Sequence, residues 1–312
     1  MTTTPMWGQK PYYSLDYYLK QRFGEKIYKI ALDVNMTCPN RDGTLDTRGC
    51  IFCSSGGSGE YASQYQPNIQ AQIEQGIASY TRKQIGNRYI AYFQSYTNTY
   101  ASVERLRFLY TQALSHPLVV GISIATRPDC LGPEVLGLLE SLREEFPHQM
   151  IWVELGLQTI HERTATYIRR GYSLPVFEEA VSHLTQIQIP IVVHTILGLP
   201  CETTEDILAT MNYLNQFPIM GIKLQLLHVL RDTDLALAYE HGDFTCMSLE
   251  EYASLVITCI EQLSPDIVIH RITGDGPKDL LIAPLWSLGK RNILNAIHNT
   301  MKREQRYQGR TL

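Results

Sequence analysis

Three closely spaced cysteines are the residues of this sequence best suited to chemistry: Cys38, Cys50 and Cys53. Eleven residues separate the first two, and two residues separate the last two. Three thiolates are one fewer than the four ligands that close a zinc site or an iron–sulfur cluster. Because a [4Fe–4S] cluster held by three cysteines has one iron free to bind something else, the spacing favours a reactive centre.

Three other interpretations of these cysteines stay open. A structural zinc site needs a fourth ligand, and no histidine precedes His116, so a distant residue would have to supply it. A disulfide is disfavoured because the first residues lack the pattern of a secretory signal, which indicates a reducing, cytoplasmic location. Inert buried thiols are disfavoured because the intervening residues, Asn40 and Arg41 among them, are typical of a surface loop.

The cysteine spacing resembles that of the radical S-adenosylmethionine (radical SAM) superfamily, in the form with a wide first gap found in Elongator-type members. Phe52 fills the aromatic position that precedes the last cysteine, which places it among the expected cofactor-binding residues. Further segments, spread from about residue 20 to 290, resemble the bacterial YhcC/YtqA-type family. They are CPNRDGT, GCIFC, AYFQSYTNTYA, ATRPDC, ELGLQT, HTILGLP, GIKLQLLH and HRITGDGP.

Length and composition set limits on the protein class. With 312 residues, of which 44% are apolar, the chain can bury a large core. The net charge of −4 argues against a molecule that is basic overall, as many nucleic-acid-binding proteins are. The segment from Lys290 to Leu312 nevertheless has six basic residues against Glu304, a local charge of +5, which indicates either a solvated helix end or an RNA contact. No apolar run is long enough to span a membrane.

Six strand-like apolar runs recur at intervals of roughly 30 to 40 residues, with helix-period segments between them. The runs are 27–34, 88–94, 118–125, 150–157, 189–197 and 221–228. Such alternation predicts an α/β fold with a parallel sheet covered on both faces. Six units fit a partial (β/α)6 barrel, but periodicity alone also fits a doubly wound sheet. The radical SAM resemblance implies the partial barrel.

Three parts of the chain are expected. Residues 1–26 form an N-terminal helical extension, since PYYSLDYYLKQRF reads as a helix. Residues 27–230 form the partial barrel. Residues 231–312 form a C-terminal α/β extension that faces the substrate and is basic at its end. Within it, DIVIHRITGDGP reads as a strand that runs into a Gly/Pro loop.

In a barrel of this kind, reactive groups gather on the loops after the strands. Many radical SAM proteins have Gly-Gly-Glu after the second strand to hold the methionyl amine, and this chain does not. Gln94, Tyr96 and Asn98 offer polar groups in its place, although a polar strand end without a ligand is an open alternative. The resemblance also implies that the turn at Gly198 passes close to adenine, where glycine permits a close approach of the main chain.

The resemblance implies further SAM contacts after the third and fourth strands. Arg127 either pairs with a carboxylate or braces its own loop together with Asp129. Glu154 and Gln158 are implied to face polar groups of SAM, and Arg170 the methionyl carboxylate. A structural ion pair between Glu154 and Arg170 is the alternative.

Four more residues are candidates for substrate binding or proton transfer: His194, His228, His270 and Arg271. The first two lie on the fifth and sixth predicted strands, where they can point into the barrel. Because a single histidine on a strand is more often a satisfied core residue, that interpretation stays open for each of them.

The resemblance implies that a reduced [4Fe–4S] cluster cleaves SAM to methionine and a 5′-deoxyadenosyl radical. An electron donor such as flavodoxin or ferredoxin is then required. It further implies tRNA modification, from carboxymethylaminomethyluridine at the wobble position to aminomethyluridine. The basic run from Lys290 to Arg310, with Arg271 and Lys278, is the expected phosphate contact. The alternatives are a radical SAM enzyme that acts on a small metabolite or peptide, and a non-catalytic, zinc-stabilised binding protein.

Overall fold

The computed structural model describes residues 5–57, 59–60, 62, 65–80 and 86–312. Within these residues, seven parallel strands form a half-barrel sheet in the order β1-β2-β3-β4-β5-β6-β8. They are β1 (Ile27–Leu32), β2 (Arg88–Phe93), β3 (Val119–Thr126), β4 (Met150–Gln158), β5 (Ile191–Leu197), β6 (Gly221–Leu226) and β8 (Val268–Arg271). A separate antiparallel pair consists of β7 (Val229–Leu230) and β9 (Leu281–Ala283).

Helices follow most strands and bury their apolar stripes on the sheet. Those of the described residues are α1 (Leu15–Phe23), α2 (Ile69–Tyr80), α3 (Val103–Leu114), α4 (Pro133–Glu145), α5 (Glu162–Tyr167), α6 (Leu174–Gln186), α7 (Thr204–Leu214), α8 (Asp234–His241), α9 (Leu249–Gln262) and α10 (Lys290–Arg303). None of them is long and apolar enough to cross a membrane.

The predicted α/β partial barrel is confirmed. All six predicted strands form, because their apolar residues are buried between the helices and the barrel interior. A seventh strand, β8, comes from the expected C-terminal extension and pairs with β6 from Gly221 onward. The segment 231–312 therefore contributes to the barrel sheet itself, while the division of the chain into three parts stays a prediction.

The N-terminal segment joins the sheet at its β8 edge. Helix α1 begins after Ser14, whose hydroxyl accepts a hydrogen bond from the Tyr17 amide, so the helix starts later than Pro11. Ser14 also forms a β-bridge with Ile269 of β8. The N-terminal segment thus covers the β8 edge of the sheet.

The basic C-terminal run is only partly available to a ligand. Arg306 and Arg310 both pair with Glu261 on α9, which fastens the chain end to that helix. Arg291 and Lys302, in contrast, are exposed and have no ion pair among the described residues. The expectation of one continuous phosphate-binding patch is therefore corrected, because internal ion pairs use part of its charge.

Candidate active site

A cavity of about 430 Å³ opens where the strands of the half-barrel end. Its wall has two regions of different chemistry. The first, the cysteine end, contains Cys38, Cys50 and Cys53. The second, the floor, lies earlier along the strands and is formed by Lys29, Tyr92, Glu154, His194 and Lys223, of which all but Lys29 line the cavity.

Two residues between the cysteines fix the shape of the cysteine loop. The Arg41 guanidinium donates to the carbonyl oxygens of Cys53 and Ser54, at 2.7 and 2.6 Å. The Asn40 amide donates to the Arg169 carbonyl oxygen at 2.8 Å, and only 2% of Asn40 is exposed. The expectation that Asn40 lies on a surface loop is wrong. The loop folds back onto the segment after α5, and this side chain satisfies backbone groups that the fold buries.

A glycine is required at position 49 of the same loop. Gly49 has a φ of 76°, a conformation that other residues adopt only with strain. A Cβ atom there would lie 2.9 Å from the Arg41 Nε atom. The amide of Gly49 also donates to the Asn40 carbonyl oxygen at 2.7 Å, so the turn between Cys38 and Cys50 is tightly specified.

The three cysteines suit an iron–sulfur cluster better than a single metal ion. All three are free thiols that face the cavity. Burial raises the pKa of Cys50 to about 12 and raises that of Cys53, so a positively charged group is needed to hold them as thiolates. In the described part of the chain, no three Cys, His, Asp or Glu side chains converge as the ligands of one ion would. Cysteines that each bind a different iron of a cluster do not have to converge in this way.

The polar residues after β2 divide into two groups. Gln94 and Tyr96 line the cavity, as expected of cofactor-binding residues. Asn98 lies elsewhere: it is fully buried, and its amide nitrogen donates to the carbonyl oxygens of Ser95 and Ala125, at 3.1 and 3.0 Å. The expectation that Asn98 faces the cofactor is therefore corrected, because its side chain joins the end of β2 to β3.

Arg127 lines the cavity and braces its own loop. Its Nε and Nη2 atoms donate to the two carboxylate oxygens of Asp129, at 2.9 and 2.7 Å. Its Nη1 atom donates to the carbonyl oxygen of Arg170 at 3.0 Å. Of the two expectations for Arg127, the geometry shows the bracing role, and the SAM contact stays a prediction.

Arg170 is a buried hub of backbone contacts on the cavity wall. Only 1% of it is exposed, and it donates to the carbonyl oxygens of Leu157, Thr159 and Tyr172, at 3.1, 2.7 and 2.9 Å. Its carboxylate partner is Glu162, at 3.1 Å. The alternative of an ion pair with Glu154 is wrong, because that carboxylate lies on the floor of the cavity among other cations.

Of the three remaining cofactor candidates, two line the cavity and one does not. Phe52 and Gln158 line the cavity, and the Tyr172 hydroxyl contacts the Gln158 side-chain oxygen at 3.2 Å. Gly198 has a φ of 88°, which explains the glycine at this turn, but it is not part of the cavity wall that the described residues form. A role for Gly198 near adenine stays a prediction.

Glu154 organises the floor, where it is fully buried and accepts five hydrogen bonds. Two come from lysines, since Lys29 Nζ lies 2.8 Å from Oε1 and Lys223 Nζ contacts Oε2. The other three come from Ser123, Trp152 and His194, at 2.5, 3.1 and 2.7 Å. Glu154 thus pairs with lysines inside the barrel and also lines the cavity, and its contact with SAM stays a prediction.

The floor shifts the proton affinities of its members. Burial alone would raise the pKa of Glu154, but Lys223 and Lys29 hold it well below its usual range. Burial, with the nearby cations Lys29 and Arg271, lowers the pKa of Lys223 to about 7. Burial and Lys223 also lower the pKa of His194 to about 4, so its imidazole is neutral and donates through Nε2 to the carboxylate.

The other histidine candidates differ in access. His228 lines the cavity, its Nε2 lies 3.1 Å from the Ser287 hydroxyl, and burial lowers its pKa to about 4. His270 packs edge-to-face on Trp152 and has no hydrogen-bond partner among the described residues. His270 is therefore outside the cavity wall of the described residues and is not a satisfied core histidine either, and its expected role on a substrate stays a prediction. Arg271 lines the cavity and pairs with Asp275 at 3.3 Å.

Three floor residues were missed by sequence reasoning: Lys29, Tyr92 and Lys223. A signal for two of them exists, because Lys29 and Lys223 are single charges inside the apolar runs IYKIALDV and GIKLQLLH. A charge in a strand that is covered on both faces must find a partner of opposite sign. Two such lysines and Glu154 in a third strand together indicate a buried ionic cluster.

Comparison with known proteins agrees with this geometry. The family described as the radical SAM superfamily matches residues 47–214, and its C-terminal domain matches residues 219–303. The protein YtqA of Bacillus subtilis is 41% identical over 97% of this chain and 93% of its own length. The protein YhcC of Escherichia coli K12 is 35% identical over 86% of this chain and 85% of its own length.

A solved structure shows the same fold at low identity. The Elp3 protein of the archaeon Methanocaldococcus infernus superimposes with a TM-score of 0.67 and 15% identity, over 90% of this chain and 64% of that one. The residues of the cysteine end and the half-barrel around it also suit the cofactors of the matched family. The chain belongs to the radical SAM superfamily, in its YhcC/YtqA type, whose members use a [4Fe–4S] cluster and SAM.

Proposed function

We propose that this radical SAM enzyme modifies tRNA, converting carboxymethylaminomethyluridine at the wobble position to aminomethyluridine. The observation that carries the proposal is the wide gap between Cys38 and Cys50, which resembles the Elongator type. The fold similarity to an archaeal Elp3 supports it. The reaction would take place in the cytoplasm, with flavodoxin or ferredoxin as electron donor.

When bound, the cluster would supply the electron that cleaves SAM to methionine and a 5′-deoxyadenosyl radical, and this radical would take a hydrogen atom from the substrate. The chain's own residues bind and orient SAM and the substrate, and they exclude water from the cavity. Cys38, Cys50 and Cys53 would hold three irons, and Arg41 keeps their loop in shape. The floor below is polar and largely buried, so a group that enters it from the cysteine end is held away from solvent.

Exposed cations near the cavity mouth support an RNA substrate. The backbone amide of Arg231 donates to the Leu280 carbonyl oxygen at 2.7 Å, which brings Arg231 beside the loop that contains Lys278. Arg291 lies next to Lys290, which pairs with Asp275 in the cavity wall at 2.8 Å. None of these three exposed cations, Arg231, Lys278 and Arg291, has an ion pair within the described ranges, so each has charge available for a phosphate.

Nucleoside mass spectrometry tests the proposal directly. Reconstituted protein, SAM, a reductant and tRNA that carries carboxymethylaminomethyluridine would be incubated without oxygen. We expect aminomethyluridine to accumulate together with 5′-deoxyadenosine, and neither product to form with Cys53→Ala. If 5′-deoxyadenosine forms while the wobble nucleoside is unchanged, the tRNA assignment is wrong.

A small metabolite or peptide is the second candidate substrate. The pairing of Arg306 and Arg310 with Glu261 favours it, because this removes basic charge that an RNA-binding surface would use. The two candidates differ in what stimulates the enzyme. Stimulation of 5′-deoxyadenosine release by tRNA favours the first, and indifference to tRNA favours the second.

A further inference from the structure

Two of the carboxylates that line the cavity are each shared between two cations. Glu154 pairs with Lys29 and Lys223, and Asp275 pairs with Arg271 and Lys290, at 3.3 and 2.8 Å. Four cations therefore face two anions, which leaves a net charge of +2 when all six groups are ionised. The histidines nearby do not change this balance, because burial keeps them neutral.

Among the described residues, two cations and two carboxylates of this group line the cavity, and each carboxylate is also shared with a cation outside the wall. Lys223 and Arg271 line the wall, whereas Lys29 and Lys290 are not part of it in the described residues. Strand register places His194, Lys223 and Arg271 side by side across β5, β6 and β8. Neighbouring strands lie about 4.8 Å apart, so these side chains start from adjacent positions on one face.

Lys223 has the properties of a cation without a full complement of anions. Only 7% of its side chain is exposed, and its Nζ atom contacts Glu154 and the Tyr92 hydroxyl. Its pKa is lowered to about 7 chiefly by burial, which the attraction of Glu154 offsets only in part, and the charges of Lys29 and Arg271 lower it further. An additional anion beside it would remove this penalty.

We propose that the pair Lys223 and Arg271 forms an anion subsite that binds a carboxylate of the substrate. The inference rests on the proposed function, in which the carboxymethyl group to be removed ends in a carboxylate. An RNA phosphate fits less well, because phosphates lie on the outside of a folded RNA and Lys223 is buried. The methionyl carboxylate of SAM is the other source of the same chemistry.

A pair of small probes that differ only in charge tests the subsite without RNA. N-acetylglycine carries a carboxylate, and N-acetylglycinamide is its neutral analogue. Their binding to anaerobically reconstituted, SAM-loaded protein would be measured by saturation-transfer NMR. We expect the acid to bind at least about tenfold more tightly than the amide, and Lys223→Met to remove the difference.

Two further variants keep the test decisive. Arg271 lies nearer the surface than Lys223, so Arg271→Gln is the milder substitution. It should reduce the preference for the acid even if Lys223→Met folds poorly. Lys20→Met removes an exposed lysine of α1, outside the cavity wall of the described residues, and should leave the preference unchanged. Equal binding of acid and amide to the wild type, or an unchanged preference in both Lys223→Met and Arg271→Gln, overturns the subsite.

Competition with SAM shows whether the subsite binds the carboxylate of the substrate or that of SAM. If the subsite belongs to the substrate, N-acetylglycine binds in the presence of saturating SAM, and Lys223→Met leaves the SAM affinity unchanged. If SAM displaces N-acetylglycine and Lys223→Met weakens SAM binding, the assignment to the substrate is overturned. Binding that depends on Lys223, combined with no change in tRNA nucleosides, would refute the proposed function and leave the subsite standing.

Discussion

The two ends of the cavity are held together by different interactions. At the cysteine end, Asn40, Arg41 and Arg170 donate mainly to backbone carbonyl oxygens, so side chains fix the path of the chain. At the floor, side chains contact one another across separate strands, and one carboxylate offsets two lysines. The first arrangement fixes the geometry of a loop. The second leaves a buried positive charge without a full counter-ion, so its protonation depends on pH and on a bound anion.

Loss of any cluster cysteine has the largest expected effect. Cys38→Ala, Cys50→Ala and Cys53→Ala should each abolish reductive SAM cleavage, because each removes one of the three thiols on the cavity wall that would hold the cluster. Production of 5′-deoxyadenosine under dithionite reports the loss. Cys201→Ala is the matched control, since this cysteine is exposed and outside the cavity wall of the described residues, and it should retain activity. Activity in any of the three variants would contradict the assignment of ligands.

Removal of the floor carboxylate should destabilise the fold without touching the cysteine loop. Glu154→Gln leaves the buried Lys223 and the half-buried Lys29 without their counter-ion, which costs about 3–5 kcal/mol of unfolding free energy. Lys29→Met is the control and should cost less, because it leaves one lysine paired with one carboxylate. Denaturant titrations measure both, and an equal loss in the two variants would mean that charge is not what holds the floor.

The floor also predicts a direction for the effect of pH. The folded pKa of Glu154 is depressed, so its contribution to stability is present above its ordinary pKa of 4.5 and is lost as pH falls below that value. The wild type should therefore lose more stability than Glu154→Gln between pH 5 and the acid limit of the titration. Parallel pH profiles of the two proteins would refute the ionised state of Glu154.

At the cysteine end, substitution of Arg170 tests the expected contact with SAM. Arg170→Ala should weaken SAM by roughly 1.5–3 kcal/mol, the range for a hydrogen bond to a charged group. Glu162→Ala removes the exposed partner of Arg170 and keeps its guanidinium, so SAM affinity should persist. Calorimetry on cluster-loaded protein measures both affinities. Unchanged SAM binding in Arg170→Ala would mean that this arginine only holds backbone carbonyl oxygens.

The smallest expected effect concerns the surface outside the cavity. Arg291→Gln should lower the salt slope of tRNA binding by about one unit, because it removes one phosphate contact beside the mouth. Lys302→Gln is the matched control, since this residue lies at the far end of the same helix, and it should have no effect. A slope that falls equally in both variants would indicate diffuse attraction along the helix.

Sequence reasoning reached the strands and the cysteine ligand candidates for a physical reason. Strands covered on both faces must be apolar along their length, so runs such as 150–157 are visible without any tertiary information. The cysteines are visible because ligand chemistry restricts both residue type and spacing. The closure into a half-barrel was not decided by periodicity, since a doubly wound sheet has the same local pattern, and it came from the family resemblance.

The partners of individual side chains were less predictable. Glu154 was expected beside Arg170 or SAM, but the register of β4 with its neighbours directs it towards Lys29 and Lys223. Register across several strands depends on the whole sheet, so no local segment encodes it. Asn98 was misplaced for a similar reason, because its amide satisfies carbonyl oxygens of a strand end that only the folded sheet brings close.

Three cysteines would hold a [4Fe–4S] cluster and leave one iron free to bind SAM. Electron paramagnetic resonance of the reduced cluster tests this assignment directly. Wild-type protein, reconstituted and reduced without oxygen, would be recorded with and without saturating SAM. We expect about four irons and four sulfides per chain and a spectrum that changes when SAM is added, since SAM would bind the iron that has no cysteine ligand. Stoichiometric zinc without acid-labile sulfide, or a cluster spectrum that SAM leaves unchanged, would contradict it.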